Sequence, residues 1–189
     1  WQTDFTQFKV FNQWGWYYPS SIPDDYSRYI IAWRLCSSMA ATDVQDTLDD
    51  ALAFTQLDSV KVRHKPRLLS DNGPSYVSLE LADYMTAQGM QHTRGKPYHP
   101  QTQGKIERWH QTMKNQILLD NYYLPEELER KLTQFVHYYN HERYHESLNN
   151  LTPADVYYGP GQHILDNRLL NKQNTMAMRR NNHYADLNG

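Results

Sequence analysis

The sequence predicts a mixed α/β fold, a five-stranded sheet flanked by helices, and three observations carry that prediction. Residues 1–35 hold three short runs rich in aromatic and β-branched residues, parted by turn residues. Two further short runs, Arg67–Asp71 and Met90–Arg94, alternate with helical patterns. The stretch after residue 104 then carries apolar stripes at helical steps of three and four. The expected order is βββ-α-β-α-β-α-α.

Residues 1–10 read as the first strand, with Asp4 inside it. An acid there is unfavourable for propensity and for burial, so it points to a specific job. Asn12 to Gly15 form a turn into a second strand, Trp16–Ile22. Pro23-Asp24-Asp25 turn again into a third, built on Tyr29–Trp33, so an antiparallel meander is expected. Asp24 and Asp25 are read as turn residues rather than as ligands.

Thr42 and Gln45 read as a capping box opening a helix to about Thr55. Arg67–Asp71 is a strand ending on an acid, broken at once by Asn72-Gly73-Pro74. Ser78 is expected to cap a second helix that Gly89 closes, and Met90–Arg94 is the fifth strand. Prolines 97 and 100 keep the next stretch out of helix. From Lys105, the residues Ile106, Trp109, Met113 and Ile117 form one buried stripe. Pro125 starts another helix with Leu128, Leu132, Phe135, Val136 and Tyr139 inward. Thr152-Pro153 opens a last short one. Residues 1–158 are read as the core and 159–189, Asn-rich and weakly periodic, as a C-terminal tail or partner-dependent segment.

The 189 residues suffice for one domain of ordinary size, and 39% hydrophobic with 21% charged content is globular. No apolar run reaches the roughly 18 residues of a membrane span, and no signal peptide is evident. The single Cys36 makes no intrachain disulfide, which fits a reducing, cytosolic compartment. The opening on Trp1 in mid-strand character reads as a fragment of a longer protein. Net charge is −2, yet residues 91–114 hold Arg94, Lys96, Lys105, Arg108 and Lys114 against Glu107 alone. That local surface is a plausible phosphate footprint.

If the first and fourth strands are neighbours, Asp4 and Asp71 face each other, and the helix of Glu107 can cover them. Three carboxylates so placed repel unless cations neutralise them. Hard oxygen donors select Mg²⁺ or Mn²⁺ over zinc, and a basic rim suits a phosphodiester. His141-Glu142-Arg143-Tyr144-His145 offers a rival, a zinc H-E-x-x-H site joined by His137. No glutamate after Glu146 supplies a downstream third ligand, which weakens it. The fifteen Tyr and five Trp are read mainly as packing.

Trp1-Gln2-Thr3-Asp4, Ser70-Asp71-Asn72-Gly73 and Tyr98-His99-Pro100-Gln101-Thr102-Gln103-Gly104-Lys105-Ile106-Glu107-Arg108 together resemble the signature of OrfB-type insertion-sequence transposases. These belong with retroviral integrases in the DDE superfamily. The 35 residues between Asp71 and Glu107 match the spacing that superfamily favours. Asp24–Arg28, Tyr139-Asn140 with Arg143 and His145, and Leu151–Ala154 also resemble the family, so the likeness covers roughly residues 1–158. It implies a ribonuclease H-like fold and a bacterial transposase core that cuts and joins DNA with two Mg²⁺ or Mn²⁺ ions. Asp4 would bridge both ions, Asp71 complete one and Glu107 the other, one ion activating water or a 3′-OH. No covalent protein–DNA intermediate is implied. A homo-oligomer on the nucleoid is implied too, with end recognition in a helix-turn-helix segment upstream of Trp1. DNA contacts are expected from Lys96, His99, Gln103, Lys105, Arg108, His110 and Lys114, binding being weak and unspecific. The Lys96–Gln103 loop, with no apolar anchor except Tyr98, is expected to be mobile without DNA. The alternatives are a non-catalytic DNA-binding or assembly module, or a plain ribonuclease H-like nuclease.

Overall fold

The computed structural model describes residues 1–59, 64–95 and 104–187, the last three by backbone alone. Strands β1 (Asp4–Phe5) and β2 (Phe8–Val10) are successive segments of one extended run, and both pair antiparallel with β3 (Gly15–Pro23). Strand β3 then pairs antiparallel with β4 (Ile30–Cys36), completing the expected meander. Asp4 lies opposite Ser21, and Ser21 opposite Trp33. The β3–β4 turn is tied by Asp24, whose Oδ2 accepts Ser27 N at 2.8 Å and Ser27 Oγ at 2.7 Å. Asp24 is thus the turn residue expected of it.

The second ladder is parallel: β5 (Leu68–Ser70) lies beside β6 (His92–Arg94). A parallel bridge from Gln2 to Leu69 joins the two ladders. Leu69 N donates to Trp1 O and Leu69 O accepts Thr3 N, each at 2.9 Å. The first strand and the one ending before Asp71 are therefore neighbours. Running that register on by two residues sets Asp4 level with Asp71.

The sheet separates two cores because alternate residues of a strand face opposite ways. On one face α1 (Ala41–Phe54) and α3 (Leu79–Ala87) bury Val44, Leu48, Leu52, Leu81 and Met85 against Ile22 and Leu68. On the other, α4 (Gly104–Ile117) and α5 (Pro125–His141) bury their stripes against Phe8, Val10 and Ile30. The α4 stripe is as expected, with Ile106, Trp109, Met113 and Ile117 all at 2% exposure or less. Asn140 fastens α5 to the edge strand: its Oδ1 accepts Ile30 N at 2.9 Å and its Nδ2 donates to Ile30 O at 3.0 Å. Its side chain completes the ladder that β4 cannot close alone.

Ser78 caps α3 by accepting Leu81 N, and Gly89 ends it at φ +65°, the left-handed region that glycine tolerates. A reciprocal capping box of Thr152 and Asp155 opens α6 (Pro153–Tyr157). Helix α1 differs from expectation. It starts at Ala41, and Asp43, not Gln45, accepts the Ala40 N–H at 2.9 Å. A four-residue turn, α2 (Pro74–Val77), was not foreseen because Asn72-Gly73-Pro74 reads only as a breaker. Residues expected to be a weakly periodic tail form one 27-residue helix, α7 (Gly161–Leu187). Its Leu, Met, Arg and Gln residues favour helix, while the absence of a consistent apolar stripe leaves it exposed. Arg168 pins its start by donating to Asn150 O at 2.9 Å. No described helix is long and apolar enough to cross a membrane.

Candidate active site

Asp4 is the first residue of β1, and Asp71 immediately follows β5. Glu107 sits in the first turn of α4, on the same sheet face as Asp4. What fixes that helix over the sheet is Trp109, which stacks on Phe135 at 5.5 Å and donates its indole N–H to Ser21 Oγ at 3.0 Å. Ser21 is the cross-strand neighbour of Asp4, so one hydrogen bond ties the Glu107 helix to the Asp4 strand.

Asp4 is only 26% exposed at its side chain. Burial, then the Asp71 carboxylate, push its pKa up to about 7; Glu107 adds to the rise, while the Phe5 N–H and Lys114 oppose it. The three acids therefore share one electrostatic field. Among the described residues no three His, Cys, Asp or Glu side chains stand close enough together to hold a metal ion as placed. Asp71 Oδ1 accepts the Gly73 N–H at 2.8 Å, closing a small turn on itself. Gly73 has little room for a side chain: a Cβ there would lie 3.0 Å from Asp71 Oδ1.

An open cleft of about 370 Å³ runs over Asp4, with Gln7 and Met39 on one side and Glu107, His110, Gln111 and Lys114 on the other. Lys114 lies where the sequence reading put it, on the Glu107 face of α4. His110, expected among the DNA contacts, is largely buried, its Nδ1 3.5 Å from Asp4 Oδ2. Burial and Lys114 lower its pKa to about 4, so at neutral pH the pair is a neutral imidazole beside a half-titrated acid rather than an ion pair. Its Nε2 is buried with no hydrogen-bond partner among the described residues.

Lys105 turns away from the cleft. Its Nζ bonds Asp25 Oδ2 at 2.7 Å and Asp25 O at 2.9 Å, while Asp25 Oδ1 accepts Gln2 Nε2 at 2.8 Å. Asp25 is more than a turn residue, since it ties the β3–β4 turn to α4 and the first strand. Arg108 faces a second cleft with Arg28 and Arg143. Lys96, His99, Gln103 and the expected mobility of their loop lie outside the described residues. The rival zinc geometry fails: α5 ends at His141, so His145 is not one helical turn above it. Instead His141 packs edge-on against Tyr29 and His145 against Tyr139. Sequence reasoning missed Ser21, Gln7 and Met39, which carry no motif signal. Gly73 had one, in the tight Asp71–Gly73 spacing.

Two family descriptions, both integrase core domain, match residues 1–100 and 88–153. This chain belongs to the integrase core domain family. It is 29% identical over 157 residues to the transposase for insertion sequence element IS629 of Shigella sonnei, covering 82% of this chain and 50% of that one. It is 28% identical over 156 residues to a transposase-like protein of Haemophilus influenzae, covering 82% and 68%. The chain thus spans half to two thirds of these relatives' lengths. Among solved structures, the HTLV-2 integrase catalytic core domain in complex with magnesium superposes with a TM-score of 0.62 at 20% identity, over 82% of this chain and 93% of that one. Its fold is that of the integrase catalytic cores, the ribonuclease H-like arrangement that the motifs implied.

Proposed function

We propose that this integrase core domain is the catalytic core of a DNA transposase, cleaving DNA phosphodiesters and joining the freed ends to new DNA. The observation that carries the reading is Asp4, a mostly buried acid raised to about 7 with both Asp71 and Glu107 among the causes. An acid raised first by burial and then by two neighbouring carboxylates, in an open cleft, suits a cation better than it suits packing. The donors are all carboxylate oxygens, which fit Mg²⁺ or Mn²⁺, and Asp4, Asp71 and Glu107 would hold them. Two such ions, when bound, supply charge neutralisation and Lewis-acid activation of a phosphodiester. The HTLV-2 core in complex with magnesium is the likeness that supports this cofactor.

The chain's own residues supply the rest. Lys114, about two helical turns beyond Glu107, offers a cation to DNA phosphates entering the cleft. His110 backs Asp4 and limits its freedom, while Gly73 leaves room for the Asp71 carboxylate. We read the two ladders, joined at Gln2 and Leu69, as one sheet of five strands. Residues 1–158 form the core on this reading, with α7 an appendage available to a partner. A homo-oligomer on DNA in the bacterial cytoplasm completes it, and the trimeric form named for the HTLV-2 core supports oligomerisation.

The test is Mg²⁺-dependent cleavage and strand transfer on a duplex oligonucleotide. Asp4→Asn, Asp71→Asn and Glu107→Gln should each lower the rate by about 10³-fold or more with folding retained. Any one of them keeping wild-type activity would remove its residue from the site.

A further inference from the structure

A second cleft, about 310 Å³ in volume, opens beside the N-terminus of α4. Arg28, Lys105, Arg108, Tyr139, Arg143 and His145 line it. Its elements are distant in sequence: the β3–β4 turn, the first turns of α4, and the end of α5 with the segment after it. Lys105 is neutralised by Asp25 at 2.7 Å. Among the described residues Arg28, Arg108 and Arg143 have no carboxylate within ion-pair distance.

The two acids of the β3–β4 turn are already engaged. Asp25 holds Lys105 and Gln2, and Asp24 is held by Ser27. Arg28 is the residue most in need of a partner. It sits at φ +68° in its turn, and its Nε is buried without an acceptor among the described residues. A buried guanidinium N–H left unpaired is costly, and a turn that imposes it points to an anion that belongs there. Arg143 is pre-positioned over the Tyr139 ring at 5.6 Å and beside His145. His145 is pushed down to about 4 by burial and by Arg143 and Arg28, so it stays neutral: its ring accepts one Arg143 N–H at 3.4 Å and brings no charge that would satisfy the guanidiniums.

We propose that this cleft binds a backbone phosphate of DNA, giving the chain a second DNA contact apart from the three acids. It rests on the reading that the chain works on DNA. Helix α4 makes the two contacts neighbours. At 3.6 residues per turn, Arg108 lies about 100° around the axis from Glu107. One helix thus shows its acid to one cleft and a guanidinium to the other, and DNA crossing its N-terminus reaches both. Planar guanidiniums suit phosphate oxygens in pairs, which explains three arginines where a point charge would do for attraction alone.

The test is anisotropy of a labelled duplex oligonucleotide, titrated with the whole 189-residue chain at several NaCl concentrations. Arg28→Gln, Arg108→Gln and Arg143→Gln should each weaken binding about tenfold and lower the salt slope by about 0.9. Arg130→Gln, on the exposed face of α5, should leave both unchanged, and Arg143→Lys should keep most of the slope. Thermal melts establish that each variant is folded; should Arg143→Gln not fold, Arg28→Gln and Arg108→Gln decide. A wild-type chain that binds while the cleft variants match Arg130→Gln overturns this inference alone. A wild-type chain that binds no duplex even at low salt overturns both it and the functional reading beneath it.

Discussion

Trp109 donates its indole N–H to Ser21 Oγ at 3.0 Å, and Ser21 is the residue opposite Asp4 in the sheet. The relationship explains how a half-exposed helix can hold Glu107 at a fixed place beside the Asp4 strand. The apolar stripe sets the height of α4 over the sheet, whereas this one buried hydrogen bond sets its position along the strand. Ser21→Ala would leave the buried indole N–H unpaired and should cost about 1–3 kcal/mol. Trp109→Ala, which also empties a space lined by Phe135 and Tyr139, should cost about 3–5 kcal/mol. Urea unfolding of the two variants checks the order; equal losses would show the hydrogen bond to be the whole effect.

Asn140 makes two hydrogen bonds to the Ile30 backbone from a site 4% exposed. Asn140→Leu should orphan both groups and destabilise by roughly 2–5 kcal/mol, since each buried unpaired group costs about 1–3 kcal/mol. Asn140→Asp should also fail at neutral pH, because its carboxylate meets the Ile30 carbonyl. A melting temperature within a degree of wild type for either variant would contradict the arrangement.

Gly73 has φ −59°, which any residue adopts, so Gly73→Ala should fold almost normally. The new Cβ would stand 3.0 Å from Asp71 Oδ1 and force that carboxylate to shift. On the proposed role of Asp71 in holding a cation, a shift of about 1 Å costs on the order of 10²-fold in rate. Loss of cleavage with stability retained is therefore expected. Full activity would show that Asp71 tolerates a range of positions.

The raised pKa of Asp4 has a thermodynamic consequence. Between the ordinary carboxylate range and about 7 the folded state holds a proton that the unfolded state has lost, so stability falls as pH rises through that window. Asp4→Asn lacks this penalty. Without metal it should exceed wild type by up to about 4 kcal/mol at pH 8 and match it near pH 4. His110 works in the opposite direction. Its pKa of about 4 in the fold means stability rises from pH 4 to the ordinary imidazole range, and Asp4→Asn should reveal that slope. Calorimetry across pH 4–8 reads both, and an unchanged profile in Asp4→Asn would contradict the shared field.

Much of the fold was legible because periodicity speaks directly to burial. The α4 stripe and the α5 stripe both follow from spacing, and Ser78 and Gly89 follow from capping chemistry. The neighbourhood of Asp4 and Asp71 could be posed only as a condition, since strand order depends on pairing that no local pattern encodes. Ser21 and Asn140 were opaque as partners for the same reason: a serine in a strand says nothing of an indole 88 residues away. The burial of His110 was readable in principle: it lies four residues after Ile106 and three before Met113, so the spacing that buries the α4 stripe also turns it toward the sheet beside Asp4. The helix from Gly161 went unseen because its stripe is missing, and a helix with no buried face leaves no periodic signature.

The central claim is that Asp4, Asp71 and Glu107 form a divalent-cation centre rather than an inherited but inert cluster. Anomalous diffraction from crystals soaked in millimolar Mn²⁺ tests it most directly. The account predicts at least one ion between Asp4 and Asp71, lost in Asp4→Asn, with a second joining when Glu107 and DNA are both in place. No density between the two aspartates in well-diffracting wild-type crystals at that concentration would contradict it and favour a non-catalytic DNA-binding module.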